Sequence, residues 1–159
     1  MEIPTERTRE ATEMGLGRIL NRELFFYFLD HEVKRALRYQ NFISVLLMRL
    51  RPAPSNNNHE TEKAFNVCRQ ALTNVLMEEM RETDILGSLG ENKLVVLLPY
   101  ADVNAGDHAK SRFENTLKYY DFKNWGYEVS IQHFCFPRNG TNTKELIRRA
   151  LEAEAVRSL

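Results

Sequence analysis

Hydrophobic positions follow two spacings along the chain, which together predict four helices and four strands. Apolar residues three and four positions apart predict amphipathic helices over residues 22–40, 60–81 and 105–117 and from residue 143 onward. Compact aliphatic and β-branched runs predict strands over residues 42–48, 85–89, 93–98 and 127–136. Between the two middle strands, Gly90 and Asn92 are expected to supply the positive φ of a tight hairpin turn.

The resulting order, α-β-α-β-β-α-β-α, predicts one domain with a mixed sheet and helices packed on it. Residues 1–15 are polar and lack periodicity, which predicts a mobile lead or a helix that docks elsewhere. Asn142 is the predicted cap of the last helix, with Glu145 three residues on as in a capping box. Nothing else in the chain resembles a long linker.

Composition and charge limit the classes of protein to which the chain can belong. The 159 residues suffice for one domain, and 43% hydrophobic with 28% charged residues is a globular composition. Lys+Arg and Asp+Glu both number 22, so no overall field attracts nucleic acid and any anion site is local. The apolar runs are far shorter than the ~20 residues of a membrane span, and the start lacks a signal-peptide pattern. We therefore expect a cytoplasmic protein.

Several conspicuous residues favour structural roles. Cys68 and Cys135 are predicted to be buried thiols, and His133 a packed or rim histidine. Four aromatic residues at the head of the first helix are expected to be mostly core, with one or two left over for an interface: Phe25, Phe26, Tyr27 and Phe28. A second group is expected to cover the sheet edge: Tyr119, Tyr120, Phe122 and Trp125. The sequence contains no recognisable Ser-His-Asp, zinc or Walker arrangement, and we expect no cofactor, metal or catalytic residue.

The segment from Arg81 to Pro99, RETDILGSLGENKLVVLLP, resembles the signature of the diguanylate cyclase, or GGDEF, family. In that family R-x-x-D precedes a GG(D/E)EF hairpin, and the register here matches without a gap. The strand SVLLMRLRP and the closing VSIQHFCFPRNGTNTKELIRRA are similar to further family segments, so the resemblance covers about residues 16–157. It implies an α+β ferredoxin-like palm with a mixed, mostly antiparallel sheet, spanning residues 16–159.

The resemblance also implies a lost active site. Active members bind two metal ions through carboxylates, because Mg²⁺ prefers hard oxygen ligands. Here Arg49 and Arg51 stand at the two Asp positions of the first strand, and Asn92 and Lys93 stand at the carboxylate positions of the hairpin. Glu91 replaces the second glycine of the hairpin, so that only Gly90 remains of the pair. A cation about 4 Å from a metal ion would oppose binding by several kcal/mol. We therefore expect no cyclase activity.

A second site of the family is retained in the sequence. Its inhibitory site holds cyclic di-GMP through R-x-x-D and an Arg on the next helix, and Arg81, Asp84 and Arg112 match these positions. The structural alternative is a surface ion pair of Arg81 with Asp84, worth roughly 0–1 kcal/mol, and an exposed Arg112. With all three in register, binding of cyclic di-GMP, as an intercalated dimer, is the leading hypothesis.

Two other functions remain as alternatives. One is a pseudoenzyme that binds a protein partner or a second copy and no nucleotide, supported by the aromatic surplus. The other is GTP binding without turnover, in which Arg49 and Lys93 meet the phosphates directly. No nucleic acid and no membrane span is expected in any of these.

Overall fold

The predicted strands assemble into one sheet in the computed structural model, which describes residues 19–54, 62–139 and 141–149. The strands are β1 (Ile19–Leu20), β2 (Ile43–Pro52), β3 (Ile85–Gly90), β4 (Lys93–Pro99) and β5 (Tyr127–Phe136). The helices are α1 (Arg22–Tyr39), α2 (Glu62–Glu79), α3 (Val103–Leu117) and α4, the helical residues 143–149. The predicted lead, residues 1–15, lies outside the described residues.

The sheet order is β1-β3-β4-β2-β5. Strand β1 pairs in parallel with β3, and the other three pairings are antiparallel. This confirms the mixed, mostly antiparallel sheet and the α+β class. Strand β2 lies between β4 and β5, as expected of a strand with a continuous run of aliphatic residues.

Alternate residues of β2 serve two hydrophobic cores. Leu46, Met48 and Leu50 pack with α2 and α3, whereas Ile43 and Val45 pack with α1 and α4. The second core includes Phe25, Leu29, Val33 and Ala36 of α1 and Leu146 of α4. Helices therefore cover both faces of the sheet.

The helix caps follow their sequence signals. The side chain of Asn21 accepts a hydrogen bond from the Leu24 N–H at 2.9 Å, and Asn142 accepts from the Glu145 N–H at 2.9 Å. The second contact confirms the predicted cap of α4. It fixes where α4 begins beside α1, and the Thr143 hydroxyl then donates to the Asp30 carboxylate at 2.8 Å.

Three predictions need correction. Strand β2 does not end at Met48 but continues to Pro52, because β5 pairs with it throughout. No residue of the β3–β4 turn has positive φ, and a register shift between Ser88 and Gly90 bends the chain instead. The first aromatic group is as predicted, since Phe25 is buried, Phe26 packs against the same core, and two residues, Tyr27 and Phe28, are exposed. Of the second aromatic group only Phe122 is buried, and Tyr119 is 90% exposed.

Both cysteines are free and buried, as predicted, and burial raises the pKa of each thiol. Among the described residues, no helix is both long and apolar enough to cross a membrane.

Candidate functional site

A pocket of about 200 Å³ lies between α3 and the loop that joins α2 to β3. Arg81 and Asp84 border it from the loop, and Arg112 borders it from α3. Its apolar wall consists of Leu98, Pro99, Ala101, Ala105 and Ala109. The structure therefore brings the three predicted ligand-binding residues, 31 positions apart at the extremes, to one cavity.

The spacing of Arg81 and Asp84 is explained by a turn. The Asp84 N–H donates to the Arg81 carbonyl at 3.0 Å, and the Arg81 N–H donates to Asp84 Oδ2 at 2.9 Å. An aspartate that hydrogen-bonds back to the main chain is typical of such turns. The turn thereby holds the carboxylate at the border of the pocket, and within the described residues no hydrogen-bond donor reaches its Oδ1.

Burial dominates the electrostatics of Asp84. Desolvation raises the pKa of its carboxyl above the usual range, although the Arg81 N–H and the nearby charges of Arg81 and Arg112 act in the opposite direction. A desolvated carboxylate between two guanidinium groups in a cleft is a feature of binding sites.

Arg112 is held by the end of α2. Its Nη2 donates to the Glu79 carbonyl at 3.2 Å, and its Nε lies 3.2 Å from Glu79 Oε2. The other carboxylate oxygen of Glu79 accepts from the Thr116 hydroxyl at 3.0 Å. Glu79 therefore orients Arg112 and joins α2 to α3.

Arg81 differs from Arg112 in its surroundings. Its side chain is exposed, and within the described part of the chain its guanidinium makes no hydrogen bond or ion pair. The contact with Asp84 is made by the Arg81 main chain, not by its side chain. The five donors of the guanidinium are thus directed to solvent at the rim of the pocket.

Two residues of this site were missed by the sequence reasoning. His108 lines the pocket one helical turn before Arg112, so its i, i+4 spacing could have identified it. Glu79 had no such signal, because its contact with Arg112 depends on how α2 packs against α3.

The second predicted set of residues lies at the other end of β3, about 20 Å away for a six-residue strand. Arg49 and Lys93 face each other across the β2–β4 pairing, on the α1 side of the sheet. Arg49 is only 4% exposed, and its Nη2 donates to Gln132 Oε1 at 3.0 Å. Arg51 continues the same row, opposite Glu128 of β5.

The hairpin turn of this second set is anchored from α2. The Nε of Arg69 donates to the Glu91 carbonyl at 2.6 Å, and the Leu50 N–H donates to the Asn92 carbonyl at 2.9 Å. A Cβ at Gly90 would meet no atom within 4 Å. The side chains of this turn thus decide its chemistry, and they are one carboxylate, one amide and one ammonium.

A third cluster corrects a sequence prediction. No Ser-His-Asp arrangement was expected, yet His133 lies within hydrogen-bond distance of both Ser44 and Asp107. Because Ser44 is fully buried, its hydroxyl cannot reach a substrate, so the cluster is not a nucleophilic site. The prediction that His133 is packed is confirmed, since its side chain is 8% exposed.

Within residues 19–54, 62–139 and 141–149, no three His, Cys, Asp or Glu side chains are placed to share a metal ion.

Comparison with known proteins places these features in a family. The model of the diguanylate cyclase, GGDEF domain, matches residues 15–155. The GGDEF domain of PA1120 (YfiN or TpbB) from Pseudomonas aeruginosa superposes with a TM-score of 0.75 and 17% identity, over 87% of this chain and 89% of that chain. No curated protein sequence matches the chain.

Two further solved structures share the fold. A DGC protein from Thermotoga maritima superposes with a TM-score of 0.71 and 14% identity, over 86% of this chain and 95% of that chain. The GGDEF domain of DgcB from Caulobacter crescentus, solved in complex with c-di-GMP, gives a TM-score of 0.64 and 12% identity, over 85% of this chain and 82% of that chain. At these identities the similarity concerns the fold.

Proposed function

The chain belongs to the GGDEF family of diguanylate cyclase domains, and we propose that it is a member that binds cyclic di-GMP as a signal without making it. The observation that carries the proposal is the convergence of Arg81, Asp84 and Arg112 on one pocket. A domain of this fold from Caulobacter crescentus was solved with the same ligand.

The pocket has the chemistry that guanine requires. A guanine base presents two N–H donors on one edge, which an ionised carboxylate accepts, and the O6 and N7 acceptors on another, which a guanidinium donates to in pairs. Asp84 supplies the carboxylate and Arg112 a guanidinium at the wall. Since the volume of about 200 Å³ is below the ~300–1,000 Å³ typical of pockets for drug-sized ligands, we expect one base inside and the phosphates at the rim near Arg81.

The structural alternative, a surface ion pair between Arg81 and Asp84, is weakened by the hydrogen bonds. Asp84 is held by the Arg81 main chain, so the Arg81 side chain is not needed to orient it. Arg112 is not the exposed residue of that alternative, because it is partly buried and its ion pair with Glu79 links two helices whether or not a ligand binds.

The absence of cyclase activity is proposed from the charges at the hairpin end. Two cationic residues, Arg49 and Lys93, are cross-strand neighbours where family members place metal-binding carboxylates. Their positive charges oppose a divalent ion, and Asn92 offers one neutral oxygen where a carboxylate would stand. GTP binding without turnover is less well supported, because Arg49 is buried against Gln132.

Isothermal titration calorimetry with cyclic di-GMP tests the binding proposal. We expect saturable heat with a dissociation constant of about 10 µM or tighter. GTP at the same concentration is the matched control, because it carries a guanine base but is not a cyclic dinucleotide. No heat from cyclic di-GMP, or equal heat from both nucleotides, would contradict the proposal.

Incubation with GTP and Mg²⁺ or Mn²⁺ tests the second half of the proposal. We expect no cyclic di-GMP by liquid chromatography, because the charges at Arg49 and Lys93 exclude the metal pair. A bona fide cyclase assayed in parallel controls for the conditions. Product that disappears in Asn92→Ala would show that the hairpin still catalyses.

The alternative of a protein-interaction module draws on the outer face of α1. Leu24, Tyr27 and Phe28 are 47%, 58% and 40% exposed there. A module of this kind would give a size-exclusion shift that does not depend on added nucleotide, together with no heat in the titration above.

A further inference from the structure

Ser44, His133 and Asp107 form a hydrogen-bonded cluster beside the proposed ligand pocket, in which Ser44 and the His133 side chain are buried and Asp107 is exposed. His133 Nδ1 is 2.9 Å from Asp107 Oδ1, and Nε2 is 2.7 Å from Ser44 Oγ. Ser44 Oγ is also within 3.0 Å of the Ala101 carbonyl and 3.2 Å of the Asp102 carbonyl. Ala101 lines the pocket, and Asp102 is the N-cap of α3.

The serine hydroxyl has one hydrogen for these acceptors. When the His133 ring is neutral, Nδ1–H donates to Asp107, Nε2 accepts the Ser44 hydrogen, and the Ala101 carbonyl receives none from Ser44. When Nε2 takes up a proton from solvent, it donates to Ser44 Oγ, and the Ser44 hydrogen turns to the Ala101 carbonyl. One added proton therefore creates one additional hydrogen bond between β2 and the start of α3.

That additional bond matters because, within the described chain, the Ala101 carbonyl otherwise has only a weak and distant hydrogen-bond donor. Ala101 is 9% exposed, and within the described chain the other donor to its carbonyl is the Cys135 thiol at 3.9 Å. A buried carbonyl without a good donor is costly, so the protonated arrangement favours a fixed Ala101.

Helix α3 packs directly against His133 and Ser44. A Cβ at Gly106 would collide with the His133 ring and approach Ser44 Oγ to 2.5 Å. The following turns of the same helix carry His108, Ala109 and Arg112 into the pocket. The contact with the His133 ring and the ligand-binding residues of α3 therefore lie on one continuous helix.

We propose that Ser44, His133 and Asp107 form a proton-dependent latch that holds the start of α3, with His133 as a positioning residue for the pocket. As a claim about ligand affinity, the latch rests on the proposed binding of cyclic di-GMP. The neighbouring titratable group on β5 is Cys135, and the charged groups that act on its thiol include Asp102, the N-cap of α3, and Arg138, which follows β5. Strand β2 contributes the neutral Ser44.

The test measures cyclic di-GMP affinity by calorimetry at pH 6 and pH 8. We expect wild type to bind about 3- to 10-fold more tightly at pH 6, the effect of one additional hydrogen bond. Ser44→Ala removes the relay but keeps both charged partners, and it should lose this dependence. His31→Gln, an exposed histidine on α1, should keep it, and His108 in the pocket is common to all three proteins. Equal pH dependence in wild type and Ser44→Ala would overturn the latch.

A ligand-free measurement separates failure of the latch from failure of the binding proposal. In NMR spectra of the apo protein, the carbonyl ¹³C shift of Ala101 should differ between pH 8 and pH 6 in wild type, and it should not differ in Ser44→Ala. An Ala101 carbonyl shift that is the same at both pH values in wild type overturns the latch even if the ligand binds. If the Ala101 carbonyl shift depends on pH in wild type but not in Ser44→Ala, and calorimetry shows no heat, the latch is supported and cyclic di-GMP is excluded as the ligand.

Discussion

Replacing Arg81 by alanine is expected to weaken cyclic di-GMP binding about 10- to 100-fold and to change the free energy of unfolding by less than about 0.5 kcal/mol. The loss follows from removing charge-assisted hydrogen bonds, each worth roughly 1.5–3 kcal/mol, where about 1.4 kcal/mol is a tenfold change in affinity. Stability is spared because the exposed Arg81 side chain makes no hydrogen bond within the described chain, and the bond to Asp84 comes from its main chain.

Calorimetry and urea denaturation measure the two quantities on the same preparations. Arg38→Ala, an exposed arginine on α1 across the sheet, is the matched control and should bind as wild type does. If Arg81→Ala binds normally, the ligand does not contact the rim, and the pocket has been assigned the wrong chemistry. If the variant instead loses stability, Arg81 has a structural role that its surroundings do not reveal.

Arg112 makes a less decisive variant than Arg81. Its ion pair with Glu79 joins the end of α2 to α3, so alanine there removes packing and a ligand contact together. The same contact has a functional consequence, because a guanidinium already oriented by Glu79, whose carboxylate accepts from Thr116, loses less conformational freedom when a ligand binds.

The sequence was informative wherever a short-range pattern determines geometry. The three-residue spacing of Arg81 and Asp84 reflects a turn whose ends meet, and the hydrophobic spacing of α3 determines the face on which Arg112 lies. The hairpin was also predicted, although its bend comes from a register shift and not from left-handed residues. These features depend on neighbours along the chain.

The remaining features depend on tertiary packing and left no local signal. Ser44 and His133 are 89 residues apart, and they meet because β5 pairs with β2 in a register that only the assembled sheet fixes. Glu79 reaches Arg112 across the α2–α3 contact, 33 residues on. Even the burial of Arg49 could not be read from the chain, since a strand predicted to end at Met48 would have left it exposed.

The Asp84→Asn substitution should separate binding from stability most sharply. We expect affinity for cyclic di-GMP to fall about 100-fold, because the amide has one acceptor oxygen and sets an N–H₂ donor against the guanine N–H groups. We expect the free energy of unfolding at pH 7 to stay within about 1 kcal/mol of wild type or to rise, since the asparagine oxygen can still accept from the Arg81 N–H.

The sign of the stability change follows from burial. Desolvation raises the pKa of Asp84 in the folded protein, so the folded state holds this proton more tightly than the unfolded state does. The stabilisation from the protonated form is complete below the unfolded pKa, near the usual 3.8, and is lost as the pH rises through the folded pKa. The Asp84→Asn variant has no carboxyl to deprotonate at this position and so does not lose this stabilisation. Its free energy of unfolding relative to wild type should therefore increase from pH 3 to pH 7.

Asp30→Asn provides the control with the opposite sign. Hydrogen bonds from Lys34 and Thr143 lower the pKa of Asp30, so its ionised form stabilises the protein above pH 3.8 and that contribution is lost as the pH falls through the folded pKa. This variant should therefore lose stability relative to wild type between pH 3 and pH 7 and bind ligand normally. Denaturation at both pH values and calorimetry at pH 7 measure the pair. An Asp84→Asn variant that is clearly destabilised at pH 7 yet binds normally would identify Asp84 as a structural residue of the turn and leave the pocket without its guanine acceptor.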